Sequence, residues 1–454
     1  MYSEVLGDGV VRFTQDVDHA RQFLDRRSGV QEQTLTPAVA ARLAEVFGAP
    51  VSAREAVDRI VGDVAANGDV AVRRYTAAFD HREPNELSVS REEITSAWRG
   101  LAPDVQRAME RAAKQIRAFH EHQRRTHWFT TSELGVFGQL IRPLEQIGIY
   151  TPGGSAAYPS SLLMTAIPAR VAEVENIVVC APPGKDGRVS PLILAAAALA
   201  DVDHVFAVGG AQAIAAMAFG TETIPHVDKI FGPGNIFVTL AKQRVYGVVA
   251  LDQLAGPTET LLIADHTADA GLVAADMLAQ AEHDPMASAI LIATSLETAQ
   301  EVALQIEAQL QTLPRATIAS TSLRTNGLIA VVPTLEIAVE LANTYAPEHL
   351  CLLVDDPWSL VPSIRHAGGI FLGEASPEAL GDYAAGPSHV MPTGGTARFS
   401  SPIHLGDFQK VISVVGANER AVSTLGPATI ALANAEGLSA HARTIERRLR
   451  REGG

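Results

Sequence analysis

The sequence predicts an α/β fold: two Rossmann-like parallel-sheet domains, an N-terminal helical segment and a C-terminal extended or helical arm. Three observations predict it. Between Glu145 and Ala250 five short apolar runs recur, QIGIY, NIVVCA, HVFAV, DKIF and GVVAL, and each of the first four is followed by a Gly-containing loop and a helical stretch. A second series starts near Glu259 with ETLLIAD, SAILIAT, GLIAVV, HLCLLV and GIFLG. Strands alternating with helices build parallel sheets with helices on both faces. Finally, hydrophobic residues make up 47% of the chain and aromatics 5%. Such a core is made of Ala, Val, Ile and Leu, as in α/β enzymes rather than β-sandwiches.

The 454 residues allow two or three domains. The expected boundaries are 1–46 for an N-terminal extension, 47–149 with 257–403 for a discontinuous first α/β domain, 150–256 for a second, and 404–454 for the arm. A net charge of −15 argues against nucleic acid as the main partner. No apolar run approaches the ~18 residues of a membrane span, so no membrane partner is expected. The start, MYSEVLGDGVVRF, lacks a basic region followed by an apolar core, so no signal peptide is expected. Two cysteines exclude a disulfide framework and fit a reducing cytoplasm.

Residues 1–50 are polar with weak helical patches. Ser52 with Glu55 and Ser90 with Glu93 have capping-box spacing. The stretch from Val51 to Asp80 reads as two helices broken at Asn67-Gly68, and a long amphipathic helix starts at Pro103. His120 and His122 lie in its charged region and are expected to be solvated. Gly135 to Leu144 reads as a pair of short strands. This helical block is expected to pack on the second strand series. Past Gly381 the alternation stops in a long Gly-, Pro- and Ser-rich loop, and loops of that kind inside compact proteins are usually functional or disordered. The helix-like tail from Glu419 has a Gly426-Pro427 break and a thin apolar face. Such a tail packs against a second subunit, which completes the predicted fold as an arm swapped in a dimer.

Several polar groups fall at element ends. In DAGLVAADMLAQAEHDP, Gln280 and His283 sit three apart on the last helical turn and point the same way. The bland alternative is a solvated turn with His283 at the negative helix end. Gly-rich loops follow the first strands, in YTPGGSAAYPSS, VGGAQAIAAMAFG and FGPGN. They can bring backbone N–H groups to a phosphate, but none spells the G-x-G-x-x-G dinucleotide fingerprint. Glu348 and His349 precede a strand and could serve as acid and base. In an alternating strand they would face opposite ways unless the backbone turns there. Asp382 and His389 lie in the long loop, and Glu436 and His441 near the C-terminus. Dispersed His nitrogens and carboxylates can assemble a zinc site, although the spacing is no zinc signature. Cys180 and Cys351 fall inside apolar runs and read as buried thiols, Cys351 with a lesser chance of reactivity beside His349.

The phrases GIYTPGG, GGAQAIAAMAFGTE, DKIFGPGN, AGPTE, AQAEHDP, APEHL, GDYAAGPSHVMPT and AEGLSAH, in this order, closely resemble the histidinol dehydrogenase family. The match runs from about Val51 to the C-terminus. The resemblance implies a zinc-dependent enzyme that oxidises L-histidinol to L-histidine through an aldehyde, with two NAD molecules. It implies zinc ligands at Gln280, His283, Asp382 and His441, and a general-base pair at Glu348 and His349. Substrate contacts are implied at Thr258, His389 and Glu436 as well as at the zinc ligands and His349. NAD contacts are implied at Tyr150, Gln212 and Asn235, which makes 150–256 the NAD-binding domain. In the family the C-terminal segment crosses to the partner, so a homodimer would share Glu436 and His441 between sites. Two departures stand out: Ser388 where Asn is expected, and Thr258 where Ser is common. The N-terminal stretch also looks longer than usual.

Two other readings compete. One is a related dehydrogenase of another small hydroxylated compound, such as a sulfonated diol. Glu436 and His389 favour the amino alcohol, because a sulfonate would call for Arg or Lys there. The other is a zinc- or nucleotide-binding protein without turnover, which the Glu348-His349 pair disfavours.

Overall fold

The computed structural model describes residues 9–26, 35–80, 86–152 and 157–451. The chain opens with a short strand, β1 (Arg12–Thr14), then α1 (Val17–Leu24) and α2 (Pro37–Phe47). Three long helices follow: α3 (Ala53–Asp80), α4 (Arg91–Arg99) and α5 (Pro103–Glu121). Gly68 interrupts α3 with φ 51°, the break expected at Asn67-Gly68. Ser52 and Ser90 accept the backbone N–H of Glu55 and Glu93 at 3.2 and 3.1 Å. Proline occupies the first turn of α2 and α5, where no N–H is required.

Next come β2 (Trp128–Ser132), β3 (Gly135–Pro143) and then the first strand–helix series. That series is β4 (Gln146–Tyr150), α6 (Pro159–Val171), β5 (Asn176–Cys180), α7 (Pro191–Leu199), β6 (His204–Phe206), α8 (Gly210–Phe219), β7 (Lys229–Phe231), α9 (Ile236–Val245) and β8 (Ala250–Leu251). Its strands form a parallel sheet in the order β6-β5-β4-β7-β8. The second series is β9 (Glu259–Ala264), α10 (Ala270–Ala281), β10 (Ser288–Ala293), α11 (Leu296–Leu310), α12 (Ala316–Asn326), β11 (Leu328–Val331), α13 (Leu335–Tyr345), β12 (His349–Leu353), α14 (Pro357–Leu360), β13 (Gly369–Leu372) and α15 (Glu378–Tyr383). These strands pair in parallel in the order β1-β11-β10-β9-β12-β13. All ten apolar runs singled out in the sequence are strands. The chain ends with β14 (Gln409–Ala417), α16 (Glu419–Ala435) and α17 (Ser439–Arg451).

Four expectations are corrected. Gly135 to Leu144 is one strand, β3, in an antiparallel sheet of order β14-β3-β2. The helical block does not pack on the second series. α3 packs on α8 and α9, α4 on α7, and α5 on α6. The reason lies in α8, GAQAIAAMAF, which is buried on every face. A helix apolar all round must be covered by a further layer, and Val57, Ile60, Val64 and Val72 of α3 cover it. His120 is fully buried, with Nδ1 2.8 Å from the Ile116 carbonyl, and burial lowers its pKa. Finally, α16 runs through Gly426-Pro427 without a break. Pro427 and Ser423 are exposed, so water can satisfy the carbonyl that loses its donor. Gly426 allows α17 to approach, and a Cβ there would lie 3.0 Å from Ile445.

One buried cluster joins the two sheet systems. Lys242, 3% exposed like its partner Asp252, donates to Asp252, to Gly232 O at 3.0 Å and to Gln253 O at 2.9 Å. Asp252 in turn accepts from Gly232 N at 2.7 Å. Gln253 Nε2 then reaches Met391 O at 2.8 Å. Gly232 has φ 107°, and a Cβ there would strike the Tyr150 backbone, so the loop after β7 can lie against β4 only as glycine. Among the described residues no helix is long and apolar enough to cross a membrane. Removing one partner of a fully buried ion pair leaves the other charge unpaired. Lys242→Met is therefore expected to lower stability by about 3–5 kcal/mol, measured by urea unfolding; a loss below about 1 kcal/mol would contradict this role of the pair.

Candidate active site

The first sheet ends in a cleft at its carboxyl edge, where α/β proteins receive nucleotides. Tyr150 closes β4, and its hydroxyl accepts from Gly210 N at 3.2 Å. Gln212 lies buried in the first turn of α8. Asn235 caps α9, its side-chain oxygen accepting from Phe237 N and Val238 N at 3.1 and 3.2 Å. These three residues share the lining of a cavity of about 560 Å³ with Arg42, Arg188 and Phe237, which sequence reasoning did not single out. Residues 153–156 of the glycine-rich loop after β4 lie outside the described residues.

A second constellation forms at the amino edge of the other sheet. Ala346 takes the left-handed conformation, φ 53°, so the chain turns just before β12 begins at His349. Glu348 thereby escapes the strict alternation of a strand, and its Oε2 lies 3.7 Å from His349 Nδ1. Glu348 Oε2 accepts from Thr258 Oγ1 at 2.7 Å and from Glu259 N at 3.0 Å. His349 Nδ1 lies 3.2 Å from Glu259 O and 3.6 Å from Glu378 Oε1, and Nε2 lies 3.7 Å from Asp382 Oδ1. Gln280, fully buried, has its amide turned to donate to Glu378 Oε1 at 2.8 Å and to accept from Thr260 N at 3.2 Å. His389 contacts Asp382 O through Nδ1 at 2.5 Å and Ser161 Oγ through Nε2 at 2.9 Å.

The structure thus brings together Thr258, Gln280, Glu348, His349, Asp382 and His389. His283, on the exposed end of the same turn as Gln280, interacts electrostatically with Asp382. Glu436 and His441 lie apart, exposed on the arm, with backbone hydrogen bonds to Leu432 and Leu438. Glu378 was missed. It is 4% exposed and precedes Asp382 by four residues in α15, so both face one way; that spacing was its signal. Thr258 keeps the hydroxyl its position needs. Ser388 is buried; it donates to Met164 O of α6 at 3.4 Å and accepts from Val390 N of its own loop at 3.2 Å.

Burial sets the electrostatics. It pushes the Glu348 carboxyl up to about 8 and that of Glu378 to about 7. Burial also favours a neutral His349 ring, but Glu378, Glu348 and Asp382 outweigh it and raise the pKa well above that of free imidazole. Burial acts to raise Asp382, but His349, with Nε2 3.7 Å away, outweighs it and holds the carboxyl low. Two buried atoms, His349 Nε2 and Glu378 Oε2, have no hydrogen-bond partner. Carboxylates crowded around such free atoms suit a cation or a cationic substrate. Among the described residues no three His, Cys, Asp or Glu side chains are grouped so as to hold a metal by themselves.

Both thiols are buried. Burial pushes Cys180 up to about 12 and carries Cys351 well above the usual thiol range; Cys351 Sγ lies 4.0 Å from Thr260 Oγ1. A protonated, buried thiol is not a nucleophile. Neither cysteine is expected to react with a water-soluble disulfide reagent in the native protein at pH 8, whereas both react in denaturant; rapid native labelling of Cys351 would restore it as a candidate nucleophile.

Residues 49–449 match the family model described as histidinol dehydrogenase. A histidinol dehydrogenase of Deinococcus radiodurans is 50% identical over 415 residues, covering 91% of this chain and 94% of that protein. The Bacillus subtilis histidinol dehydrogenase is 49% identical over 399 residues, with 88% and 93% covered. The crystal structure of histidinol dehydrogenase from Elizabethkingia anophelis superposes with a TM-score of 0.90 at 36% identity, covering 98% of this chain and 99% of that one. With a family model spanning most of its length and relatives at half identity, the chain belongs to the histidinol dehydrogenase family.

Proposed function

We propose that the Glu348–His349 pair carries out the acid–base steps of an NAD-dependent oxidation of L-histidinol to L-histidine in histidine biosynthesis. The observation that carries this reading is the buried pair at 3.7 Å, braced by Thr258, Glu259 and Glu378 on a constellation that also contains Gln280 and Asp382. NAD binds in the cleft at Tyr150, Gln212 and Asn235 and accepts the hydrides.

A cation beside Asp382 would offset part of the negative charge that keeps His349 protonated; the neutral ring then takes the hydroxyl proton of the substrate while the carbinol carbon gives hydride to NAD, and the alcohol becomes an aldehyde. Glu348 in its carboxylate form, which gains population as pH rises through about 8, removes a proton from water as the water oxygen bonds to the aldehyde carbon. The resulting hydrate anion gives a second hydride to a second NAD and becomes the carboxylic acid, which releases its proton to water to leave the carboxylate. His389 and Thr258 contact the substrate, and Glu436 does so from the partner subunit. Keeping the aldehyde bound prevents loss of a reactive intermediate.

Zinc suits the donor chemistry of Gln280, His283 and Asp382, with His441 of the partner subunit as the fourth ligand. When bound it supplies a Lewis acid without redox chemistry, which orients the imidazole and amine of the substrate. A shared dimer also accounts for the arm. Val415 is 72% exposed and Leu432 66%, and α16 and α17 pack chiefly on each other. A reducing cytoplasm suits two unpaired cysteines.

Two experiments test the reading. Purified protein with limiting L-histidinol should release two NADH per substrate consumed; one NADH with free aldehyde would contradict the two-step scheme. Inactive His441→Ala and Glu348→Gln preparations, mixed under conditions of subunit exchange, should regain up to about a quarter of wild-type activity, the share of intact sites in randomly paired dimers. No recovery after verified exchange would contradict shared sites.

A further inference from the structure

The N-terminal segment reaches the catalytic constellation through one side chain. β1 adds to the sheet edge beside β11, and α1 packs on α13. Directly after α1, the guanidinium of Arg26 lies over the Tyr345 ring, 3.1 Å from its centroid, and forms an ion pair with Glu259 Oε2. Glu259 is 2% exposed. Its second oxygen accepts the backbone N–H of Gly394, in the loop that carries His389.

The main chain of Glu259 is what holds the acid–base pair. Its N–H donates to Glu348 Oε2 at 3.0 Å, and its carbonyl lies 3.2 Å from His349 Nδ1. Glu259 is also the first residue of β9; the carbonyl of the peptide before it accepts from Ser288 N at 3.0 Å, while the N–H of that peptide turns to Glu348 instead of a neighbouring strand. A buried ion pair is weak evidence of stability by itself, since apolar residues often replace such pairs without loss. Here the pair anchors the one residue whose two backbone groups touch both Glu348 and His349.

We propose that Arg26 is a positioning residue for the reaction: through Glu259 it fixes the backbone that aims Glu348 and His349, and ties that backbone to the loop at Gly394. The inference rests on the acid–base reading of that pair. It gives the N-terminal segment a role in turnover through Glu259.

Steady-state kinetics of Arg26→Met, Arg26→Lys, Glu259→Gln and the double variant Arg26→Met/Glu259→Gln, alongside wild type, test it. Misaiming a catalytic pair by a fraction of an ångström costs about tenfold to a hundredfold in rate. Arg26→Met should lose that much in kcat, with KM for histidinol and NAD within about threefold of wild type. Arg26→Lys should recover a substantial part, because a cation again faces Glu259. The double variant should exceed Arg26→Met, because no charge is left buried and unpaired. Should Arg26→Met fail to fold, Glu259→Gln alone carries the test, with the same fall in kcat at unchanged KM. Folded Arg26→Met with wild-type kcat and only a lower melting temperature would overturn the proposal, as would a double variant no better than the single one. Absence of NADH formation by wild type would instead overturn the assigned reaction, so the two failures are distinguishable.

Discussion

Two buried carboxylates, Glu348 and Glu378, and the half-buried Asp382 converge on one imidazole, His349. Such a cluster is stable only if its charge is neutralised. Part of the neutralisation is local: His349 itself, the Glu259 N–H and the Thr258 hydroxyl. That requirement explains why the constellation sits at the amino edge of its sheet. Backbone N–H groups at the start of a parallel strand lack a full ladder and can serve a carboxylate instead. The cleft with Tyr150, Gln212 and Asn235 obeys the opposite rule and lies at the carboxyl edge of the other sheet. Substrate and nucleotide would thus meet between unlike ends of two sheets, and the Lys242–Asp252 cluster binds the connecting segment into both.

The fold was legible wherever a local pattern carried the information. Every apolar run of the two series is a strand, because a strand buried on both faces must be apolar throughout. The Asn67-Gly68 break and the Ser caps of α3 and α4 were visible for the same reason. What stayed hidden depends on contacts between distant segments. Strand β1 is three residues long and exists because β11 offers an edge. His120 lies in a charged run, yet its face is covered by the segment near Ile403. The place of α3 to α5 follows from the need to cover α8, which its Ala-rich composition could have disclosed.

The site was legible mainly through motif resemblance rather than through patterning. Gln280, an amide at a helix end, would not have been chosen on its chemistry alone. The Glu348–His349 pair looked doubtful under strand alternation, and the left-handed turn at Ala346 removes the difficulty. Glu378 escaped notice because a Glu in a Gly- and Pro-rich stretch reads as a solvated charge until α15 turns it inward. Arg26 escaped for a similar reason, lying in the polar DRRS run that no periodicity distinguishes. The exposed apolar residues of the arm, Val411, Ile412, Val415, Leu425 and Leu432, mark a surface that one chain leaves uncovered.

The proposed zinc would be held jointly by the residues around this cluster, so the metal content of the protein is the most direct measurement. Zinc determined by elemental analysis on wild type, His283→Ala and Asp382→Asn, each purified without chelator, decides the matter. The account predicts about one zinc per chain in wild type and its loss from both variants with the fold intact by circular dichroism. Full zinc in either variant, or a fully active wild-type protein without bound metal, would contradict it.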